Sequence, residues 1–146
     1  KYDLVMRLDT DSCFIEKVPD IGNVMRHYSY ASISSHQDCE RFYKGGMEDM
    51  AIDFAKRENI SLIEPISNPS VGCIYTWSTN LEVYRPDVFL HSHVFQKWAR
   101  TVSDSMNIYK KRWGDAPLRR ISLNLMNEPR VLNFYGNNWY KHPCKS

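Results

Sequence analysis

Asp9 and Asp11 stand one residue apart at the end of an apolar run that includes Leu4, Val5, Met6 and Leu8. If a strand continues through them, the i, i+2 spacing puts both carboxylates on one side. Open α/β sheets bind ligands outside the carboxyl ends of their strands. A Mg²⁺-class or Mn²⁺-class cation is usually held by few carboxylates together with phosphate oxygens. Arg7-Leu8-Asp9-Thr10-Asp11-Ser12 is therefore a place to dock a metal–diphosphate, although a solvated acidic turn would read the same way.

Three further segments carry chemistry. In Trp113-Gly114-Asp115-Ala116-Pro117 the aspartate suits a helix N-cap, and a carboxylate beside a large aromatic could also grip a sugar hydroxyl or take its proton. Tyr140-Lys141-His142-Pro143-Cys144 offers an imidazole, a ligand for Mn²⁺-class metals, or merely a structural loop histidine. Tyr75-Thr76-Trp77-Ser78-Thr79-Asn80-Leu81-Glu82-Val83 places one acid after an aromatic and polar strand.

Composition narrows the class of partner. The 146 residues, with a net charge of +2, make one domain's worth of chain. Basic residues cluster only at Lys110, Lys111 and Arg112 and at Arg119 and Arg120, which is no nucleic-acid footprint. No apolar run approaches the roughly 20 residues that span a bilayer. Nine Tyr, six Phe and four Trp suit sugar stacking, and suit a large core equally well. Cys13, Cys39, Cys73 and Cys144 are too dispersed for a zinc finger and permit up to two disulfides in an oxidising compartment. Asn59-Ile60-Ser61 is an N-glycosylation sequon, whereas Asn68-Pro69-Ser70 is excluded by its proline.

The elements that must position these residues follow from periodicity. Lys1 to Leu8 predicts a short buried strand, upstream of which the chain is expected to have been cut. Pro19-Asp20 opens a short helix, and Tyr28 to Ile33 alternates as a strand. Met47, Met50, Ala51, Phe54 and Ala55 follow helical spacing, with acids first, bases last and Asn59 as terminator. Residues 64–72 read as a loop and Ile74 to Val83 as β-structure. A second helix starts at Arg85-Pro86-Asp87 and carries Phe95, Trp98, Ala99, Val102 and Met106 on one stripe. Asp115-Ala116-Pro117 opens a third, and Val131 to Phe134 is a last strand. Strands alternating with helices predict an α/β fold.

Taken together and in order, the four segments resemble those of the fungal-type α-1,2-mannosyltransferases of glycosyltransferase family 15. That family runs from a strand ending in an acidic motif to a Phe-Trp-Ser-Asn-Phe-Glu-Ile-like segment. A Glu-Arg-Trp-Gly-Asp-Ala-Pro segment follows, and a Tyr-His-Pro motif near a Cys closes the domain. Here Asp9-Thr10-Asp11 stands where many members have Glu-Pro-Asp, Thr79 is an extra residue or the pattern is shifted locally, Lys111 replaces a glutamate and Lys141 separates Tyr140 from His142.

The resemblance implies a GT-A type nucleotide-sugar transferase fold, of which residues 1–146 would be the C-terminal portion of one catalytic domain, the N-terminal nucleotide-binding half missing. It implies a retaining, Mn²⁺-dependent transfer of mannose from GDP-mannose to a mannosyl glycan. Asp9, Asp11 and Arg7 fall on the donor-binding segment. Asp9, Asp11 and His142 fall on the metal site, Glu82 on the acid beside the reacting sugar, and Asp115, Trp113 and Tyr75 on acceptor contacts. Glu82 and Asp115 would be the catalytic acids. A Golgi-luminal, type II protein, membrane-bound only through an N-terminal anchor outside these residues, is the expected setting. At least one disulfide should then form, with Cys144 the favoured participant. The competing readings are a transferase using another sugar donor, a carbohydrate-binding module using the Trp139 to His142 loop, and a structural domain in which Asp115 only caps and His142 only packs.

Overall fold

The structure, a computed structural model, describes residues 2–39, 45–134 and 136–144. Lys1, with which the first predicted strand opens, lies outside them. The central element is a four-stranded mixed sheet in the order β1 (Val5–Leu8), β7 (Leu81–Tyr84), β3 (Tyr30–Ser32), β8 (Val131–Asn133). β7 runs antiparallel to both β1 and β3, and β3 runs parallel to β8. A second, three-stranded antiparallel sheet orders β4 (Ser35–Asp38), β6 (Cys73–Trp77) and β5 (Ser67–Asn68). β2 (Cys13–Phe14) and β9 (Tyr140–Lys141) form a two-stranded ribbon. The mixed α/β architecture is the class read from the sequence.

β3 is buried at every position, as expected of a strand paired on both edges. β1 differs from the buried strand expected of it. It pairs only with β7, so it is an edge, and Met6 and Leu8 are exposed.

Helix α1 (Ile21–Val24) starts at Asp20, whose carboxylate accepts from the Asn23 amide at 3.0 Å. Helix α2 (Met47–Arg57) buries Met47, Ala51, Phe54 and Ala55 on the predicted stripe. It begins after Gly46, whose φ of 76° lies where an L side chain is strained. The second predicted helix is divided into α3 (Pro86–Leu90) and α4 (His93–Ser105), because the Ser92 hydroxyl caps a fresh start by accepting from the Phe95 amide at 3.1 Å. A single turn, α5 (Asn107–Lys110), follows, and α6 (Asp115–Leu125) is the third predicted helix. Its N-cap is Gly114. Asp115 occupies the first helical position, a correction of one residue, because its carboxylate is drawn to Arg7.

The largest core lies where α2, α4 and α6 pack on β6. Phe54 and Trp98 meet edge to face at 5.3 Å there, among Ile74, Trp113, Ile121 and Leu125. Truncating either ring to alanine would cost about 3–5 kcal/mol. Among the described residues no helix is long and apolar enough to cross a membrane.

Candidate active site

The acidic turn is built where β1 ends. The Asp9 amide continues the ladder by donating to the Asn80 carbonyl at 2.9 Å, and the Ser12 amide closes the turn on the Asp9 carbonyl at 3.0 Å. On the far side, β2 and β9 pair Cys13 with Lys141, which brings His142 against the turn. The Cys144 amide donates to the Asp11 carbonyl at 2.7 Å, and a Cys13–Cys144 disulfide fixes the two segments together. A second disulfide, Cys39–Cys73, ties the end of β4 to the start of β6. The expected bond through Cys144 is present.

Asp11 and His142 thus meet, with Oδ1 and Nδ1 3.2 Å apart. The Ser12 hydroxyl lies 3.2 Å from the same nitrogen and 2.8 Å from the Tyr140 hydroxyl. The other ring nitrogen, Nε2, is 3.1 Å from the Asn80 side-chain nitrogen. Nε2 thus faces the Asn80 amide, and Nδ1 faces Asp11 and Ser12. Beside this cluster opens a cleft of about 500 Å³ bordered by Ser34, Ser78, Asn80, Asn137, Tyr140 and His142.

Asp9 and Asp11 differ sharply in surroundings. Asp9 accepts from Arg7 Nε at 3.2 Å and from Asn80 at 2.9 Å, one bond to each oxygen. Asp11 is 59% exposed and meets the imidazole. Of the two, Asp11 is the more exposed and has fewer partners, and so is the more available to a cation. Among the described residues no three His, Cys, Asp or Glu side chains already converge as a metal cluster. The pair nonetheless suits a hard ion: a carboxylate oxygen and an imidazole nitrogen 3.2 Å apart could share one ion and leave most coordination positions for diphosphate oxygens and water.

A second group of charges lies on the face that β1 and β7 turn toward α6. Arg7 and Glu82 are register partners. Each takes its ion-pair partner from α6, where Asp115 and Arg119 are one turn apart on one side. Arg7 bonds Asp115 as well as Asp9. That guanidinium and the first amides of α6 outweigh the opposing effect of burial and hold the Asp115 carboxyl below its ordinary range. Glu82 is 1% exposed. Its Oε2 accepts from Tyr30 at 2.9 Å and from Arg119 Nε at 3.1 Å, and its Oε1 lies 3.2 Å from Arg119 Nη2. The Arg119 guanidinium stands 5.1 Å from the ring centroids of both Tyr84 and Phe89. Burial first, and then the Glu82 charge, push the Tyr30 phenol well above its ordinary range.

Arg7, Asp9, Asp11, Asp115 and His142 therefore form one connected group through Asn80, with the buried Glu82 beneath it as the register partner of Arg7. Trp113 and Tyr75 do not belong to it. Trp113 is buried in the helical core and donates to the Gly45 carbonyl at 3.2 Å. Tyr75 belongs to the three-stranded sheet, with the Arg120 guanidinium 5.0 Å from its ring. Sequence reasoning assigned no role to Asn80, Ser12, Tyr30 or Arg119. Asn80 and Ser12 stood inside the quoted segments, and Arg119 in a basic pair one turn beyond Asp115.

No family model matches the chain. The O-glycoside α-1,2-mannosyltransferase omh1 of Schizosaccharomyces pombe is 35% identical over 72 residues, 49% of this chain and 18% of that protein. The probable mannosyltransferase KTR4 of Saccharomyces cerevisiae is 31% identical over 64 residues, 44% of this chain and 14% of that one. Among solved structures, core-mannan synthase A from Aspergillus fumigatus in its Mn/GDP form superposes with a TM-score of 0.80 at 16% identity, over 99% of this chain and 46% of that one. The mannosyltransferase Ktr4p of S. cerevisiae gives 0.81 at 23% identity, over 100% of this chain and 43% of that one. Its complex with GDP gives 0.81 at 22%. The chain spans less than half the length of these solved relatives. In sequence over about half of its length, and in fold throughout, this chain is similar to the mannosyltransferases of glycosyltransferase family 15.

Proposed function

We propose that this chain is the C-terminal portion of the catalytic domain of a Mn²⁺-dependent mannosyltransferase, which moves mannose from GDP-mannose to a mannosyl glycan with retention of configuration. The observation that carries the reading is the meeting of Asp11 and His142 from opposite ends of the sequence, at 3.2 Å, beside an open cleft. The Mn/GDP form of core-mannan synthase A and the GDP complex of Ktr4p support the donor and the ion. Exposed Met6, Leu8, Phe14 and Ile15 on and beside β1 and β2 support an N-terminal half that would cover them. The two disulfides support a luminal setting, which in this reading is the Golgi.

Asp11 and His142 would hold the ion, which as a Lewis acid neutralises charge on the departing diphosphate. Asn80 orients the imidazole through Nε2, which leaves Nδ1 and the Asp11 carboxylate to face one ion. Arg7 sets the position of Asp9 and of Asp115, and the ionised Asp115 is suited to gripping an acceptor hydroxyl. Both Glu82 oxygens are already engaged, so Glu82 suits electrostatic support of an oxocarbenium ion better than attack on the anomeric carbon. Trp113 and Tyr75 act through packing.

The test is transfer of radiolabelled mannose from GDP-mannose to an α-mannoside by the full-length protein, with Mn²⁺ and with chelator. Metal-dependent transfer that is lost in His142→Ala is expected. Equal glycan binding in chelator without any transfer would instead identify a binding module.

A further inference from the structure

We infer that Asn59 is an N-glycosylation site of this protein. The sequon Asn59-Ile60-Ser61 falls at the end of α2, where Glu58 is the C-cap and Asn59 takes a φ of 54°. Asn59 and Ser61 are both exposed, and Ile60 between them is half-buried. The Ile60 amide donates to the Ala55 carbonyl at 2.8 Å, so the middle residue is anchored while the two that a transferase must reach point away from the core. The neighbours Lys56 and Arg57 are exposed as well.

Helix termination accounts for Asn59 alone, because asparagine tolerates the left-handed conformation. It places no demand on Ser61. The compartment is the second condition, and two disulfides with no free cysteine indicate an oxidising one. The position is also compatible with function. The first end of α2 is tied by Gly45 to Trp113, close to Asp115. Asn59 lies at the other end of the helix, roughly 18 Å along its axis at the rise of an α-helix. A glycan there would stand clear of the cleft.

The donor would be a lipid-linked oligosaccharide diphosphate. A C–N bond forms between the Asn59 side-chain nitrogen and the anomeric carbon as one amide proton is lost. The bond from that carbon to the diphosphate oxygen breaks, and the lipid diphosphate leaves with the electron pair. The inference depends on the luminal setting and not on the transferase reading.

The test is secretion of the full-length protein through the endoplasmic reticulum of a eukaryotic cell, with mass analysis before and after peptide-N-glycosidase treatment. The expected result is a mass excess that the enzyme removes, leaving aspartate in place of Asn59. Ser61→Ala and Asn59→Gly should each lose that excess, the second keeping the helix stop and the melting temperature. Secreted protein with both disulfides formed and unmodified Asn59 would overturn the inference. So would an excess at Asn59 that persists in Ser61→Ala.

Discussion

Arg119 reaches both carboxylate oxygens of Glu82 while its guanidinium lies against the rings of Tyr84 and Phe89. The carboxylate is almost wholly out of water and the arginine is mostly so. Removing one member of such a pair strands a buried charge, which costs about 3–5 kcal/mol. Arg119→Met should therefore lower the denaturation midpoint strongly, and Glu82→Gln added to it should restore part of the loss. In the full-length enzyme Glu82→Gln alone should lower kcat about 10²-fold or more. If Arg119→Met leaves stability unchanged, the two side chains do not hold one another in solution.

The two aspartates of the acidic turn should separate in a metal titration. Asp11→Asn and His142→Ala should each weaken Mn²⁺ binding by at least about tenfold, a scale set by loss of one ligand or its partner. Asp9→Asn should affect binding less, because Arg7 and Asn80 hold the Asp9 carboxylate and it is less exposed than that of Asp11. Calorimetry or electron paramagnetic resonance with Mn²⁺ and GDP on the full-length protein reads the difference. Equal losses from both aspartates would place both on the ion.

Asp115→Ala should abolish most transfer yet change stability by no more than about 1 kcal/mol, since its pair with Arg7 is largely exposed. The Asp115 carboxyl is held low in the folded state, so its contribution is present above the ordinary carboxylate range and is lost as pH falls through the lowered value. The acid limb of a stability–pH profile should flatten in the variant. A fall in melting temperature with full activity would reduce Asp115 to a helix-start residue.

Tyr30 contributes to the alkaline limb. Its phenol stays protonated in the fold while an unfolded tyrosine ionises near pH 10. Above that pH the unfolded state binds fewer protons, so stability falls by about 1.4 kcal/mol per pH unit from this group. Tyr30→Phe should lose about 1.5–3 kcal/mol at neutral pH with its bond to Glu82, and should remove that slope. Urea melts between pH 8 and pH 11 test both halves, and an unchanged slope would contradict the assignment.

Cys144→Ser opens a loop closed over 131 positions, and Cys73→Ser one closed over 34. The chain-entropy account predicts losses of about 5 and about 4 kcal/mol. Only the first should also cut Mn²⁺ affinity, because only that bond fixes the Asp11 and His142 segments together. Equal metal binding in both variants would show that β2 and β9 suffice.

The helices were legible because burial follows most of each stripe: Phe54 and Ala55 on α2, Trp98 and Val102 on α4, and Ile121 and Leu125 on α6 lie inside, whereas Ala99 is exposed and Met106, also exposed, caps α4 from outside it. The break at Ser92 was not read, since the apolar stripe resumes beyond it and hides the new cap. Ile74 to Val83 looked continuous, but Ser78, Thr79 and Asn80 carry the chain from one sheet to the other. The exposure of β1 depends on which strands pair with it, and composition holds no record of that. In the site, Asp11 and His142 were nameable because their residue types have few uses. Asn80 and Arg119 were not, because asparagine and arginine are common on any surface and acquire meaning only from the carboxylates and the imidazole that folding sets beside them.

The Cys13–Cys144 bond also decides how the molecule bears load. Tension applied at those two cysteines would pass straight through the covalent link and leave everything between them slack. β1 is the one described strand or helix outside that ring. Force on the chain ahead of Val5 would therefore fall on the pairing of β1 with β7, and loss of that pairing would draw Arg7 away from Asp115.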